Sequence, residues 1–600
     1  MKKDKTKSNT QSWKNTVRTT KYAVSMVARE EGGKRYIILR MFMALLDALF
    51  PLVFTIFPGL IINELLGQQR MTTIILFVSV LVITPIVQQL INTVFHIYFY
   101  KSMNRIRMNA NRRIFFHSVN MDYENYEKPE YNVLRDRVHD AMWNLEQNIN
   151  NIVGLFSSFI SLVALFTIIS ILNIWLIVLI CIIIFVNSIV TKRVNEKKYI
   201  YEKEANKWNN YNWAYRNTLV YNWNMKEVRL FNIKSLLIDS WSDYTKKENK
   251  EREKSHKIGF IPSSFSSFTN FIQQAAVYAF LVYNVINGQM YIGTMSIFLA
   301  ATAQFSSSLG GLAHNYLQIS ESNLRINEVI EFFRLPLKQM ETGHKTPVFD
   351  KNSVIEFRNV SFKYPGSEVY ALKNLNITFH ANEKLCIVGH NGAGKTTFIK
   401  LLTRLYFPTE GEIFLNGVNI YEYDFLKYQR LFAPVFQDGG CFNFTIGQNI
   451  VLGSEWNKEK VDEVCKNSGL KQLIDKQPKG YNTQIGKWLD EEGLEPSGGE
   501  EQRFKIARAV YHGGEIFLLD EPTAALDPLA EYEIYTQFNK MITDSAAILI
   551  THRLAAVQLA DKVAVFENGT VVEFGTHAEL CDAKGVYAEM YNKQSKFYKE

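Results

Sequence analysis

The sequence predicts a multi-domain chain: an N-terminal all-α domain of six membrane-crossing helices, followed by an α/β domain built around a glycine-rich loop. Three observations carry the prediction. Apolar runs long enough to cross a bilayer, about 20 residues each as helices, crowd the region before residue 330. A single Gly-rich loop at 389–397 lies between a short apolar strand and the start of a helix. Between Arg334 and Val348 the pattern collapses into a linker containing Pro, Lys and Thr. The expected domains are therefore 1–335, a linker at 336–348, and 349–600.

Composition agrees. Six hundred residues exceed what one hydrophobic core organises, so at least two domains are required. The 47% hydrophobic content is ordinary only because it averages a membrane half with a water-soluble half. The net charge of +8 invites a nucleic-acid reading, but the bases cluster beside apolar runs, where they face anionic lipid, and no nucleic-acid partner is expected. Cys181, Cys386, Cys441, Cys465 and Cys581 show no C-x-x-C or zinc spacing, which predicts reduced thiols. The first thirty or so residues are rich in Lys, Ser and Thr and lack a secretory h-region, which reads as a cytoplasmic tail entering an amphipathic elbow near 20–28.

The spans are placed at 38–62, 73–98, 151–172, 174–192, 260–286 and 292–314. Short polar links join them at 63–71, Asn173 and 287–289, whereas the other connections are long and basic, including Lys101, Arg105, Arg107, Arg112, Arg113, Lys192, Arg193, Lys197 and Lys198. By the positive-inside rule both termini and the long loops are cytoplasmic. These loops keep helical spacing through 99–118, 134–150 and 193–221, so helices should project beyond the membrane. Short helices are expected at the two tips, around 120–126 and 223–231. Asp47, Gln88, Gln89, Asn92, His96, Gln273, Gln274, Gln304 and His314 are costly in lipid and should bond to other helices or face a hydrated space, with kinks expected at Pro51, Pro58 and Pro85.

The second half carries motifs in order. Residues 354–362 alternate like a strand, and Tyr364 at its exit is placed to stack on a nucleotide base, although a tyrosine closing a strand is also commonplace. Gly389, His390, Asn391, Gly392, Ala393, Gly394, Lys395, Thr396 and Thr397 match G-x-x-x-x-G-K-[ST] in the required strand–loop–helix context. The glycines let backbone N–H groups turn onto phosphate oxygens. Lys395 adds charge at the β- and γ-phosphates, Thr396 offers a hydroxyl to Mg²⁺, and the helix dipole favours the same anions. Gln437 follows a strand-like run, within reach of Mg²⁺ or the attacking water. Ser497, Gly498, Gly499 and Glu500 open a helix with capping-box spacing, and its free N–H groups make a second anion site. The apolar strand at 516–519 ends in Asp520, a metal ligand, and Glu521, which orients or deprotonates water. A turn ends at Asp527, and a strand at 547–551 ends in His552, an imidazole for the γ-phosphate.

The set resembles an ATP-binding cassette transporter half of the exporter type, over roughly residues 20–590. The resemblance implies a dimer in which each ATP is clamped between the P-loop of one copy and the Ser497–Gly499 segment of the other. It implies that Lys395 and Thr396 hold phosphate and Mg²⁺, Gln437 senses the metal, Asp520 holds it, Glu521 acts as base, His552 contacts the γ-phosphate and Asp527 couples the two sites. The tips near 120 and 225 match the family's coupling helices. One departure stands out: where the family has Leu-Ser-Gly-Gly-Gln, this chain has Pro496, Ser497, Gly498, Gly499 and Glu500, which adds negative charge beside the triphosphate.

ATP-driven export is the reading that follows, with a second copy of the chain as partner and a heterodimer left open. Residues 486–493 resemble exporters of bacteriocin-like and other modified peptides, which favours a peptide-derived cargo. Nothing before residue 35 is long enough for a leader-cleaving peptidase, so another protein is expected to remove any leader. A multidrug or lipid exporter is the alternative. An ATP-gated channel or regulatory subunit is a second class, against which Glu521 argues, and six spans argue against a soluble DNA-organising ATPase. The Lys-, Asn- and Ile-rich composition points to a bacterial plasma membrane.

Overall fold

The computed structural model describes residues 13–171, 174–221, 224–437, 439–521, 545–551, 557 and 560–599. Asp527, His552, the link residue Asn173 and Trp223 at the second tip lie outside the described residues. The chain divides into two compact units, one comprising Met1–Ile114 and Arg135–Phe333, the other Phe115–Leu134 and Arg334–Glu600. The expected first domain included 115–134; by its packing this segment groups with the second unit.

The first unit is all α. Its helices are α1 (Trp13–Ala28), α2 (Gly33–Leu66), α3 (Met71–Asn120), α4 (Pro129–Ser170), α5 (Ile174–Val220), α6 (Met225–Leu230), α7 (Lys234–Ile286) and α8 (Ile292–Phe332). Six of these are long. The described parts of α2, α3, α4 and α5 are apolar enough to cross a membrane by length and composition. Helices α7 and α8 fall short on that measure because Ser263, Ser264, Thr269, Asn270, Gln273 and Gln274, and Gln304 and Ser306, interrupt their apolar runs. Ile75, Leu76, Val82, Ile86 and Leu90 of α3 are exposed in the single chain, as side chains facing lipid tails are.

Polar groups inside the bundle bond between helices, which removes the cost of leaving them bare in hydrocarbon. Thr55 donates to Gln304, Ser306 sits 3.5 Å from Gln273, and Asn63 donates to Thr294 at 3.1 Å. Helices α2 and α8 approach closely at two glycines: a Cβ on Gly59 would lie 2.3 Å from the Gly293 carbonyl oxygen, and one on Gly293 would lie 2.2 Å from that of Gly59. Pro51 and Pro58 lie inside α2 and Pro85 inside α3, and each helix continues through them.

The elbow is longer than expected. Thr16, Thr19, Ala23, Met26 and Val27 form one buried face of α1, at helical spacing. Asn323 of α8, fully buried, donates to the Thr16 carbonyl at 3.1 Å and to the Thr20 hydroxyl at 2.9 Å, and accepts from Asn148 at 3.1 Å. Thr19 adds a bond to Asn327 at 2.9 Å.

The helices do run past the apolar zone. Beyond it, Trp208, Tyr211 and Tyr215 of α5 stack on Tyr244 of α7 with ring centroids 6.0, 5.0 and 5.4 Å away. Of the two tips, α6 forms within the expected 223–231. The helix expected around 120–126 is instead a single 3₁₀ turn, Tyr123–Asn125. Helix α3 extends to Asn120 and Pro129 opens α4, where its missing N–H costs nothing, so the remaining gap holds one tight turn.

The second unit is α/β. An antiparallel sheet of order β2-β1-β4-β5 comprises β1 (Val354–Lys363), β2 (Tyr370–His380), β4 (Glu410–Leu415) and β5 (Val418–Asn419). A six-stranded sheet of order β10-β9-β3-β8-β7-β6 comprises β3 (Lys384–Gly389), β6 (Phe432–Val435), β7 (Ile516–Asp520), β8 (Ala546–Ile550), β9 (Lys562–Glu567) and β10 (Thr570–Gly575). Strands β3, β6, β7, β8 and β9 are parallel, and β10 closes the edge antiparallel. Strands β7 and β8 are buried at every position, as a parallel strand covered on both faces should be.

The helices here include α9 (Lys338–Glu341), α10 (Lys395–Leu402), α11 (Phe425–Gln429), α12 (Ile446–Val451), α13 (Lys458–Asn467), α14 (Lys471–Asp475) and α15 (Gly498–His512). Phe398 of α10 packs on Phe357 of β1 and Phe566 of β9, at 4.6 and 5.8 Å, fastening the two sheets together. Arg404 behind it is fully buried and donates to the carbonyls of Ile420 and Tyr423 and to Thr342, tying the linker to the sheet.

Candidate nucleotide-binding and hydrolysis site

Parallel order explains why the motif residues meet. Strands β3, β8, β7 and β6 are consecutive neighbours running the same way, so the loops after them leave one edge of the sheet. Those loops carry 389–397, Glu521 and Gln437. Ligands of open parallel sheets bind outside that carboxyl edge.

The loop after β3 is shaped for an anion. Gly389, Gly392 and Gly394 have φ of 151°, 81° and 105°. A Cβ at Gly389 would lie 2.2 Å from the Phe566 carbonyl oxygen, and one at Gly394 would lie 2.8 Å from that of Ala371, so no larger residue fits either place. Asn391 and Thr396 are exposed on this loop, whereas Thr397 is buried and its hydroxyl lies 3.0 Å from that of Tyr364.

Lys395 is the buried cation of the loop. Its Nζ donates to the Gly389 carbonyl at 2.8 Å and the His390 carbonyl at 3.1 Å. Burial pulls its ammonium below the ordinary range, and the carboxylates of Glu521 and Asp520 oppose that pull. A triphosphate placed there supplies the counter-charge that burial demands.

Asp520 closes β7 and is 5% exposed. Glu521 follows with φ 46°, a conformation costly for a side chain with a Cβ, and its N–H is fixed to the Ile550 carbonyl at 3.0 Å. Backbone strain of this kind collects where a side chain must be aimed. The Asp520 carboxylate and the Thr396 hydroxyl offer hard oxygen donors, and among the described residues no cluster of three acidic, His or Cys side chains forms a cage. Mg²⁺ suits such a place, since it takes one or two protein oxygens together with phosphates and water. Held there by Asp520 and Thr396, it would offset negative charge on a bound triphosphate.

The helix start at Ser497 has the expected cap. Ser497 is the N-cap of α15, and its N–H donates to the Glu500 carboxylate at 2.7 Å. The Ser497 hydroxyl also donates to that carboxylate, at 2.8 Å. The hydroxyl that would greet a phosphate is thus occupied by Glu500. Ser497 and Gly498 are exposed in the single chain.

Two residues near Gln437 escaped the motif reading. The side chain of Gln437 is exposed, and its carbonyl accepts from Lys505 of α15 at 3.0 Å, with the Phe436 carbonyl at 3.3 Å. Arg508, one turn on, donates to the Gly440 carbonyl at 3.0 Å. Their i, i+3 spacing on the helix that Ser497 opens was the available signal.

A membrane bundle joined to a parallel sheet with this loop, strand-end acid pair and capped helix defines a transport ATPase, and the chain belongs to the ABC transporter family. The family's transmembrane region matches residues 37–309, and its ATP-binding domain, described as ABC transporter, matches residues 372–524. The subtilin transport ATP-binding protein SpaT of Bacillus subtilis is 28% identical over 91% of this chain and 90% of its own length. The nisin transport ATP-binding protein NisT of Lactococcus lactis subsp. lactis is 29% identical over 93% of each. The ATP-dependent lipid A-core flippase of Escherichia coli (strain K12) is 37% identical over 40% of this chain and 41% of its own length. A solved structure of a bacterial Atm1-family ABC exporter with ATP bound superposes with a TM-score of 0.78 at 24% identity, covering 94% of this chain and 98% of that one. The protein is thus a multi-pass membrane ATPase of exporter fold that binds ATP.

Proposed function

We propose that two copies of the chain form an exporter for a peptide or modified-peptide natural product, powered by Mg-ATP. In this reading the loop at 389–397 of one copy and the Ser497 helix start of the other enclose each nucleotide. Lys395 and the loop N–H groups hold the phosphates, Thr396 and Asp520 hold Mg²⁺, and Gln437 lies toward the metal and the attacking water. Glu521 takes the proton of that water as it attacks the γ-phosphate, and His552 steadies the γ-oxygens. Tyr364 stacks on the base and Asp527 links the two sites. ATP closes the nucleotide units and turns the bundle outward, and hydrolysis resets it. Both termini face the cytoplasm.

The observation that carries the peptide cargo is the similarity to SpaT and NisT over nine-tenths of the chain, joined to the resemblance at 486–493. For the dimer it is the exposure of Ser497 and Gly498, a half-site that a second copy completes. The test is ATP hydrolysis by protein in lipid vesicles, with nisin, subtilin, a phospholipid or a cationic dye added in turn. Stimulation and ATP-dependent uptake with a peptide alone support the reading. Stimulation by the phospholipid or dye alone replaces it with a lipid or multidrug exporter.

A further inference from the structure

Lys400 projects from the helix that follows the nucleotide loop, and its surroundings are unusual for an ordinary helix-surface lysine. Its Nζ lies 5.2 Å from the ring centre of Tyr364, 5.6 Å from that of Tyr406 and 5.8 Å from that of Tyr123. It also donates to the Glu127 carboxylate at 2.8 Å. Two of these four groups, Tyr123 and Glu127, belong to the segment between α3 and α4. The other two belong to the nucleotide unit proper, and Tyr364 is the residue assigned to the base. The rings touch one another as well: Tyr406 meets Tyr123 edge-on at 5.7 Å and Tyr364 edge-on at 5.6 Å. The Tyr364 hydroxyl, in turn, reaches Thr397 in the phosphate loop at 3.0 Å.

Tyr406 completes the cluster. The Tyr406 hydroxyl is buried and has no hydrogen bond of acceptable geometry. Burial, and then the Glu127 carboxylate beside it, hold its phenol far above the ordinary range. Of the two polar groups beside Glu127, Lys400 is the one bonded to it.

We propose that Lys400 is a positioning residue that fastens the segment 115–134 to the base-binding side of the nucleotide site, so that a base stacked on Tyr364 tightens this segment through the Tyr364–Lys400–Glu127 chain. The proposal rests on the reading of Tyr364 as the base platform and of 389–397 as the phosphate loop. It assigns the sensing of the base, as distinct from the phosphates, to one cation and one carboxylate that no nucleotide motif contains. An exposed ion pair acting as surface decoration would do none of this.

Amide hydrogen exchange of the full chain in detergent, in a Glu521→Gln background that retains ATP, separates the possibilities. With saturating Mg-ATP, peptides covering 389–397 and 115–134 should both slow about tenfold. Mg-tripolyphosphate, which lacks a base, should slow 389–397 alone. Lys400→Met and Glu127→Gln should abolish the slowing at 115–134 while leaving that at 389–397, and Lys400→Arg, which keeps the charge, should restore most of it. Equal protection of 115–134 by tripolyphosphate, an unchanged response in Lys400→Met, or failure of Lys400→Arg to rescue would each overturn the proposal. Absence of protection at 389–397 in the parent protein would overturn the nucleotide reading itself and this one with it.

Discussion

Single residues set the chemistry, and three substitutions probe it. Glu521→Gln keeps the size and the φ 46° backbone but loses the carboxylate proposed as base, so turnover should fall at least about 100-fold while ATP binding persists; radiolabelled nucleotide retention beside phosphate release measures both. Gly394→Ala places a methyl 2.8 Å from a carbonyl oxygen in a left-handed conformation, and nucleotide binding should disappear by calorimetry with the fold intact. Glu500→Gln retains an acceptor for the cap while freeing the site of a charge. It should lower the ATP concentration for half-maximal hydrolysis several-fold, whereas Ser497→Ala should lose the cap, worth about 1 kcal/mol, as well as activity. Cys386 is fully buried, and burial pushes its thiol up to about 12, so maleimide at neutral pH should leave it unlabelled until the protein is denatured.

Elements position these residues, and here the sequence was most and least informative. The strand–loop–helix from Lys384 to Leu402 was legible because its glycines, its lysine and its apolar strand each have a local reason to be where they are. The same held for Ser497 and Glu500, whose spacing alone implies the cap. The grouping of 115–134 with the nucleotide unit was not legible. Its anchor joins Glu127 to Lys400 across 273 positions, and periodicity reports only neighbours in sequence. Lys505 and Arg508 were missed for the same reason, since what they hold beside Gln437 are backbone carbonyls, which any sequence supplies.

That anchor should respond to pH only at the extremes. Burial raises the Glu127 carboxyl, but Lys400 and Tyr406 outweigh it and hold the group below its ordinary value of 4.5, so its contribution is present above that value and is lost as pH falls through the lowered one. Burial likewise works against the Lys400 ammonium, yet Glu127 holds it above 10.5, so its contribution persists below that value and is lost as pH rises through the raised one. The difference in denaturant midpoint between the parent and Glu127→Gln should be constant from pH 6 to 9 and should close below about pH 4. Arg404→Ala, by contrast, should destabilise the nucleotide unit by about 3 kcal/mol at any of these pH values, because it strands the carbonyls of Ile420 and Tyr423 in the core.

At the scale of the whole molecule, the two-part organisation was readable from the distribution of apolar runs, since lipid and water demand different surfaces from one chain. Which helices would be purely apolar was harder to read, because hydroxyl and amide side chains that bond across helices, such as Gln304 with Thr55, look like interruptions until their partner is known. A dimer that shares its nucleotides predicts cooperative hydrolysis with a Hill coefficient above 1 in ATP. It also predicts that mixing parent subunits with Glu521→Gln subunits lowers activity by more than dilution does.

The union of α1 with α8 through Thr16, Thr19, Thr20, Asn323 and Asn327 has a consequence for biogenesis. Helix α1 finds its seat on α8 only once Asn323, 307 positions beyond Thr16, has been synthesised and inserted. Until then the polar stripe of α1 lacks the partners that satisfy it, so the seating of this helix follows the making of α8.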